Sequence, residues 1–263
     1  MRLKLLFSFM MSVAWGCGAH ANPLRLNTDG SWNFHGSVAL FAATTTKGTT
    51  TVNGNSADVD LNLRDALDHL DFTGTGRVEA WNGRLGLIAE GHYIGFSASA
   101  RATSGPAAGA TVNVESTQSW MSFLVGYQVT DGQFANGRPY SFDVQGGARY
   151  NRLTQEIVGS GGVLNVGGTE RWWEPVIGAR YSWGIADGWD GAFMVDASGF
   201  DTNGNELAWS ATLGLARRFN ERSSLVFGWR HYDIDFSTAR AGGPFGTDLY
   251  SSGPFIGYAY TFN

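Results

Sequence analysis

After residue 30 the chain alternates hydrophobic and polar residues with a period of two, and no long stretch carries the 3.6-residue period of a helix. Ten segments show the alternation: residues 31–46, 72–81, 84–101, 110–130, 139–155, 169–184, 189–201, 206–220, 223–237 and 248–262. Most exceed the roughly five or six residues of a soluble strand. They match the ~9 to 11 residues that cross a bilayer at a tilt, with overhang. In the fifth segment Tyr140, Phe142, Val144, Gly146, Ala148 and Tyr150 form one face, and Ser141, Asp143, Gln145, Gly147 and Arg149 the other. Alternation alone does not say which face meets which solvent, since a soluble sandwich shows it too. Aromatics decide the matter, because Tyr140, Tyr150, Trp173, Tyr181, Trp183 and Trp189 cluster near segment ends, where an interfacial girdle places them. The pattern predicts an all-β fold, a transmembrane antiparallel up-and-down β-barrel of ten strands, with eight and twelve as the alternatives.

The links alternate in length, as short turns and long loops do on the two sides of such a barrel. Asn82-Gly83, residues 185–188 and Glu221-Arg222 are tight. Residues 47–71, 102–109, 156–168 and 238–247 are long, while 131–138 and 202–205 break the rule. An even strand number puts both chain ends on the side of the short turns. Inside the first long link, Leu63, Ala66, Leu67 and Leu70 fall at i, i+3, i+4 and i+7, which predicts one short amphipathic helix over the barrel mouth, with Asn62 as its cap. The same link could hide an extra hairpin at Lys47-Gly48.

Composition narrows the class further. Glycine reaches 37 of 263 residues and tryptophan 10, and sixteen of the eighteen basic residues are arginine. The net charge of -5 lacks the basic excess that nucleic acid requires, so no nucleic-acid partner is expected. No segment after the first twenty residues approaches the ~18 to 20 apolar residues of a membrane helix.

The N-terminus reads as an export signal. Met1-Arg2-Leu3-Lys4 is a basic start, residues 5–15 form a short apolar core, and Ala19-His20-Ala21 is a small-x-small cleavage site. The expected organisation is a signal peptide at 1–21, a short periplasmic segment at 22–30 and the barrel at 31–263. A lipoprotein acylated at Cys17 is the competing reading, disfavoured by the bulky Trp15 two residues upstream. Cleavage after Ala21 removes the single cysteine, as suits an oxidising compartment, and leaves 16 basic against 23 acidic residues.

With the polar phase of each strand taken as inward, the lumen holds Arg77, Glu79, Glu90, His92, Asp143, Arg149, Glu174, Arg180, Asp196 and Arg230. A charge facing lipid at mid-depth costs about 2 to 4 kcal/mol for Arg, so these side chains belong inside. Their near-balance of sign predicts ion pairs across the barrel, with arginine favoured for its two-point fit to carboxylates. Such a network fills the interior structurally, or it lines a narrow polar channel for small solutes. Inward glycines, among them Gly147, Gly178, Gly214 and Gly228, would leave room in either case. Catalysis is a distant third reading. Glu90 and His92 share a face two residues apart, a spacing that could orient a base. It also arises by chance where charges are confined to a lumen. No metal or cofactor is expected: no paired-histidine spacing occurs, and the glycine pairs 161–162 and 167–168 lack the helix and lysine of a phosphate loop.

The last strand ends Gly253-Pro-Phe-Ile-Gly-Tyr-Ala-Tyr-Thr-Phe262-Asn263, with Ile256, Tyr258, Tyr260 and Phe262 on one face. This resembles the terminal assembly signal of Gram-negative outer-membrane β-barrel proteins, although that signal usually ends on the aromatic itself. The wider pattern looks like a small exported barrel family without a defined activity. It comprises Asp58-Val-Asp-Leu61, then Arg77-Val-Glu-Ala-Trp81-Asn-Gly-Arg84, then Trp229-Arg230-His-Tyr-Asp-Ile-Asp235 and the Gly253-Pro-Phe ending. The resemblance implies the barrel fold and an outer-membrane location and says little about activity; from the lumen residues no enzyme is expected, and a monomer is the favoured state. Its implied partners are outer-membrane lipid, lipopolysaccharide and the insertion machinery. The residues of the barrel proteases and lipid A-modifying barrels are not matched.

Overall fold

The computed structural model describes residues 30–62, 70–159 and 164–262, and within them twelve strands form a single antiparallel sheet. They are β1 (Asn33–Phe41), β2 (Thr45–Val52), β3 (Asn55–Leu61), β4 (Leu70–Asn82), β5 (Leu85–Ala102), β6 (Thr111–Gln133), β7 (Pro139–Gly159), β8 (Asn165–Ala186), β9 (Trp189–Thr202), β10 (Asn205–Arg218), β11 (Ser223–Thr238) and β12 (Phe245–Phe262). The wall closes as β1-β4-β5-β6-β7-β8-β9-β10-β11-β12, with Phe34 opposite Phe262 at the final seam. Ten strands therefore make the barrel, as the alternation predicts. Asn33 stands opposite Trp81, beside the first tight turn, so the first barrel strand starts and the last one stops at the end of the short turns.

The two additional strands belong to the same wall. β1 pairs with β12 only as far as Phe41 opposite Phe255, and β2 takes up the same edge of β12 from Thr45 opposite Ser252. On the other side β3 meets β5 at Ala57 and Asp58, above the point where β4 leaves it. The β2–β3 hairpin thus continues the wall above β1 and β4. Its turn is Asn53-Gly54, with φ of 49° and 76° at the two central positions, the left-handed pair of a type I′ turn. Residues 47–52 and 55–61 are strand rather than loop, which corrects the expectation for the first long link, and the turn lies six residues beyond Lys47-Gly48. The helix expected from Leu63 falls outside the described residues. At the opposite end Asn82 pairs with Leu85, so the tight turn is Gly83-Arg84, one residue later than the sequence motif implies.

Residues 156–168 are also mostly strand, since β7 runs to Gly159 and β8 starts at Asn165. The reason is a reversal of phase partway along the wall. On β6 the outward face below residue 120 is Thr111, Asn113 and Glu115, with Val112 and Val114 buried inside; beyond it Met121, Phe123, Val125, Tyr127 and Val129 point outward. On β5, Leu85, Leu87 and Tyr93 face outward, whereas Ile94, Ala98, Ala100 and Ala102 face inward. β11 changes from outward Leu225, Phe227 and Trp229 to inward Tyr232, Ile234 and Phe236. Near the short turns the wall is apolar outside and polar inside, and toward the far rim it is polar outside and apolar inside. The assumption that the polar phase is inward throughout holds only for the first zone. The apolar outer band of β5 spans Leu85 to Tyr93, nine residues, enough to cross a bilayer core at a tilt.

Candidate functional site

The interior is divided at the level of Trp120. Toward the far rim it is filled by Val52, Val59, Leu61, Ile94, Leu153, Ile157, Ile234, Phe236, Phe245 and Leu249, a continuous apolar core inside the wall. The boundary is a stack of rings: His92 lies on Trp120 at 4.0 Å between centroids, and Trp120 on Tyr232 at 4.8 Å. The guanidinium groups of Arg149 and Arg230 cover Trp120 at 5.5 and 5.8 Å. The stack therefore joins the apolar core, to which Trp120 and Tyr232 belong, to the cations near Trp120, which an indole attracts through its ring electrons.

Toward the short turns the lumen is charged. All ten residues assigned there from the sequence stand on the inward face of their strands, and most engage one another. Glu79 on β4 is the hub. Arg180, from β8 across the lumen, donates through Nη1 and Nη2 at 2.7 and 3.0 Å, and Arg77 donates through Nε at 2.6 Å. The Trp81 indole N–H donates to the same carboxylate at 2.7 Å. Arg77 also reaches Glu90 at 2.7 Å and Gln145 at 2.8 Å, and Arg180 reaches Asp143 at 3.0 Å. A second group forms around Arg149, only 2% exposed, which donates to Asp196 at 2.7 Å and to Ser122 and Ser198. Ser210 hydrogen-bonds to the remaining oxygen of Asp196.

The network differs from simple neighbour pairing. Arg149 and Glu174 are directly opposed across β7 and β8, yet Arg149 turns to Asp196, while Glu174 accepts from the Trp172 indole and Asn205, both at 2.6 Å. Glu90 binds Arg77 and His92 packs on Trp120, so the two-residue spacing between them builds no base–orienter pair. Gln145, Ser122, Ser198, Ser210 and the mouth pair Arg218–Asp190, close at 3.0 Å but without hydrogen-bond alignment, belong to the same lining and were not singled out in the sequence. Their signal was parity: each shares the inward phase of a charged residue on its own or the adjoining strand.

Between these groups lies a cavity of about 370 Å³. It reaches the short-turn end, where Glu221 and Arg222 stand at its mouth, and extends inward to Phe41, Phe255 and Arg230 below the apolar core. Gly214 lines this cavity, with the Phe255 ring 3.4 Å from where its Cβ would stand, whereas Gly228 leaves no open space, because the same ring and the Leu213 carbonyl fill its Cβ position. Trp81 sits in the same way against Gly86 and Gly126. Among the described residues, no cluster of His, Cys, Asp and Glu has the form of a metal site.

The C-terminal residues singled out from the sequence face outward. Ile256, Tyr258, Tyr260 and Phe262 stand opposite Leu40, Val38, Gly36 and Phe34 of β1. Phe262 is 52% exposed, its ring lies 3.1 Å from where a Gly36 Cβ would stand, and it meets Tyr260 edge-on at 4.8 Å.

No protein-family model and no curated protein sequence matches the chain. Solved structures do. The outer membrane protease OmpT from Escherichia coli superposes with a TM-score of 0.58 at 12% identity, covering 92% of this chain and 100% of that one. The translocator domain of the autotransporter NalP from Neisseria meningitidis gives 0.40 at 15% identity, covering 91% of each chain. The outer membrane protein OprG from Pseudomonas aeruginosa gives 0.39 at 13%, covering 89% of this chain and 96% of that one. The fold is that of the bacterial outer-membrane β-barrels, in a ten-stranded form whose wall rises beyond the apolar belt.

Proposed function

We propose that the chain is exported by the N-terminal signal at 1–21 and inserted in the outer membrane as a closed barrel, with a structural and surface-presenting role rather than that of an open pore. The apolar core that crosses the lumen between Trp120 and the far rim carries this reading. A water path would have to pass between packed side chains such as Leu153, Ile157, Ile234 and Phe245, each 2% exposed or less. Ten strands also lie near the eight that leave an interior just wide enough for side chains, and far from the sixteen of an aqueous porin. With the short turns in the periplasm, the cavity faces that compartment and the apolar core faces outward. The outward polar strands above the belt then meet lipopolysaccharide headgroups and the medium.

Single-channel recording on the purified protein in planar bilayers tests the proposal. The closed reading expects a silent membrane or brief, small events. Large, stable and reproducible openings would overturn it and favour a narrow channel for small polar solutes.

A further inference from the structure

Among the described residues, the charged lumen leaves one arginine without a carboxylate at ion-pair distance. Glu79, Glu90 and Asp143 are engaged by Arg77 and Arg180, and Asp196 by Arg149. Arg230 is 6% exposed, and no carboxylate lies within ion-pair distance of it among the described residues. Besides the Trp120 ring at 5.8 Å, its polar contact is a long one, Nη1 to His92 Nδ1 at 3.5 Å, and its Nε and Nη2 have no hydrogen-bond partner. Thr212 stands directly opposite Arg230 on β10, and its Oγ1 is also buried and unpartnered. Both residues line the inner end of the cavity. Buried polar groups are nearly always satisfied, and a guanidinium more strictly than most, so an orphaned donor edge beside an orphaned hydroxyl calls for an acceptor from outside the chain.

We infer that the cavity is a binding site for a small organic carboxylate, which enters from the short-turn end and places its two oxygens on Arg230 Nε and Nη2, with Thr212 Oγ1 donating a third hydrogen bond. A planar carboxylate fits one guanidinium edge two-point. A phosphate dianion is disfavoured because it would bring two charges to a single cation. The walls around that end are apolar, formed by Ala39, Phe41, Met194, Val226 and Phe255. They suit a compact hydrocarbon or aromatic body, and about 370 Å³ is within the range of small-molecule sites. The site requires only an accessible periplasmic mouth, so it stands whether or not the far end conducts.

Equilibrium dialysis of radiolabelled benzoate against the full chain in detergent micelles tests this. Benzamide serves as the uncharged isostere, and inorganic phosphate as a body-less anion. Saturable one-site benzoate binding is expected, with benzamide and phosphate at least tenfold weaker as competitors. Arg230→Gln should weaken benzoate at least tenfold, and Thr212→Val several-fold, with heat-modifiable gel mobility kept. Absence of saturable benzoate binding by correctly folded protein would overturn the inference, as would equal competition by benzamide or phosphate. Should Arg230→Gln fail to fold, Thr212→Val and the benzoate–benzamide comparison on the native chain decide alone. Equal benzoate binding in both comparisons counts against the site.

Discussion

Arg180 grips both carboxylate oxygens of Glu79 from the opposite wall of the barrel, at 2.7 and 3.0 Å, while Arg77 holds one of them from the same strand. One acid is thus shared by two arginines, each of which has a second carboxylate partner, and ties β4 to β8 across the lumen. Removing a partner from a buried pair strands the remaining charge, at a cost of about 3 to 5 kcal/mol. Glu79→Ala takes one carboxylate from each of two arginines, leaving Arg77 to Glu90 and Arg180 to Asp143, whereas Glu90→Ala takes one from Arg77 alone. Urea unfolding in micelles should rank Glu79→Ala well below Glu90→Ala in stability, and equal midpoints would show that the fork across the lumen contributes little.

The barrier to conduction should lie in the apolar core, not in the charges. Arg180→Ala widens the charged zone but leaves Leu153, Ile157, Ile234 and Phe245 packed above it. Planar-bilayer recordings of Arg180→Ala and Arg149→Ala should be as quiet as those of the native chain. Openings that grow in these variants would locate the seal in the ion pairs instead.

The β1–β12 seam closes the barrel, and Phe262 lies across Gly36 there. Deleting Phe262 and Asn263 should lower the amount inserted in the outer membrane without lowering synthesis, and Gly36→Leu should do the same by displacing the ring. Fractionation with immunoblotting measures both. Unchanged membrane levels in the truncated chain would count against a terminal assembly signal.

Above the apolar belt, Asp235 stands directly opposite Asp248 on the outer face. Partial burial, and then the Asp248 charge, push the Asp235 carboxyl above its ordinary value. The folded state therefore holds protons more tightly than the unfolded chain, and the repulsion is relieved as pH falls through the carboxylate range. Asp248→Asn should add a few tenths of a kcal/mol at pH 7, a gain that fades as the medium is acidified. Denaturant midpoints at neutral and acidic pH read this directly, and a gain that persists in acid would assign it to something other than charge.

Strand number, strand order and the inward position of the ten lumen residues were legible because membrane-level strands carry two independent signals, apolar alternation and confinement of charge. The hairpin at Asn53-Gly54 was not, although Asn-Gly is a strong turn signal. Its flanks, Thr49-Thr50-Thr51 and Asn55-Ser56, have no apolar outer face, because that part of the wall stands outside lipid. Residues 156–168 failed for the same reason. Partner choice within the lumen was equally out of reach. Arg149 lies beside Glu174 in register yet bonds to Asp196 two strands away, a choice set by the reach of a long side chain into three-dimensional space.

The reversal of phase along β5, β6 and β11 makes each strand a depth gauge. The point where large side chains change from odd to even positions marks the level at which hydrocarbon gives way to water, and neighbouring strands agree on it through their register: Tyr93 on β5 faces Ser119 on β6, one step before Met121. Below that line the molecule is insulated from the outside inward, like a lipid-soluble body with a wet centre. Above it the same sheet is a water-soluble barrel with an oily centre, standing on the first as on a pedestal. A single continuous wall thus joins two proteins of opposite solvent preference, and the membrane surface is the only plane at which both can be satisfied.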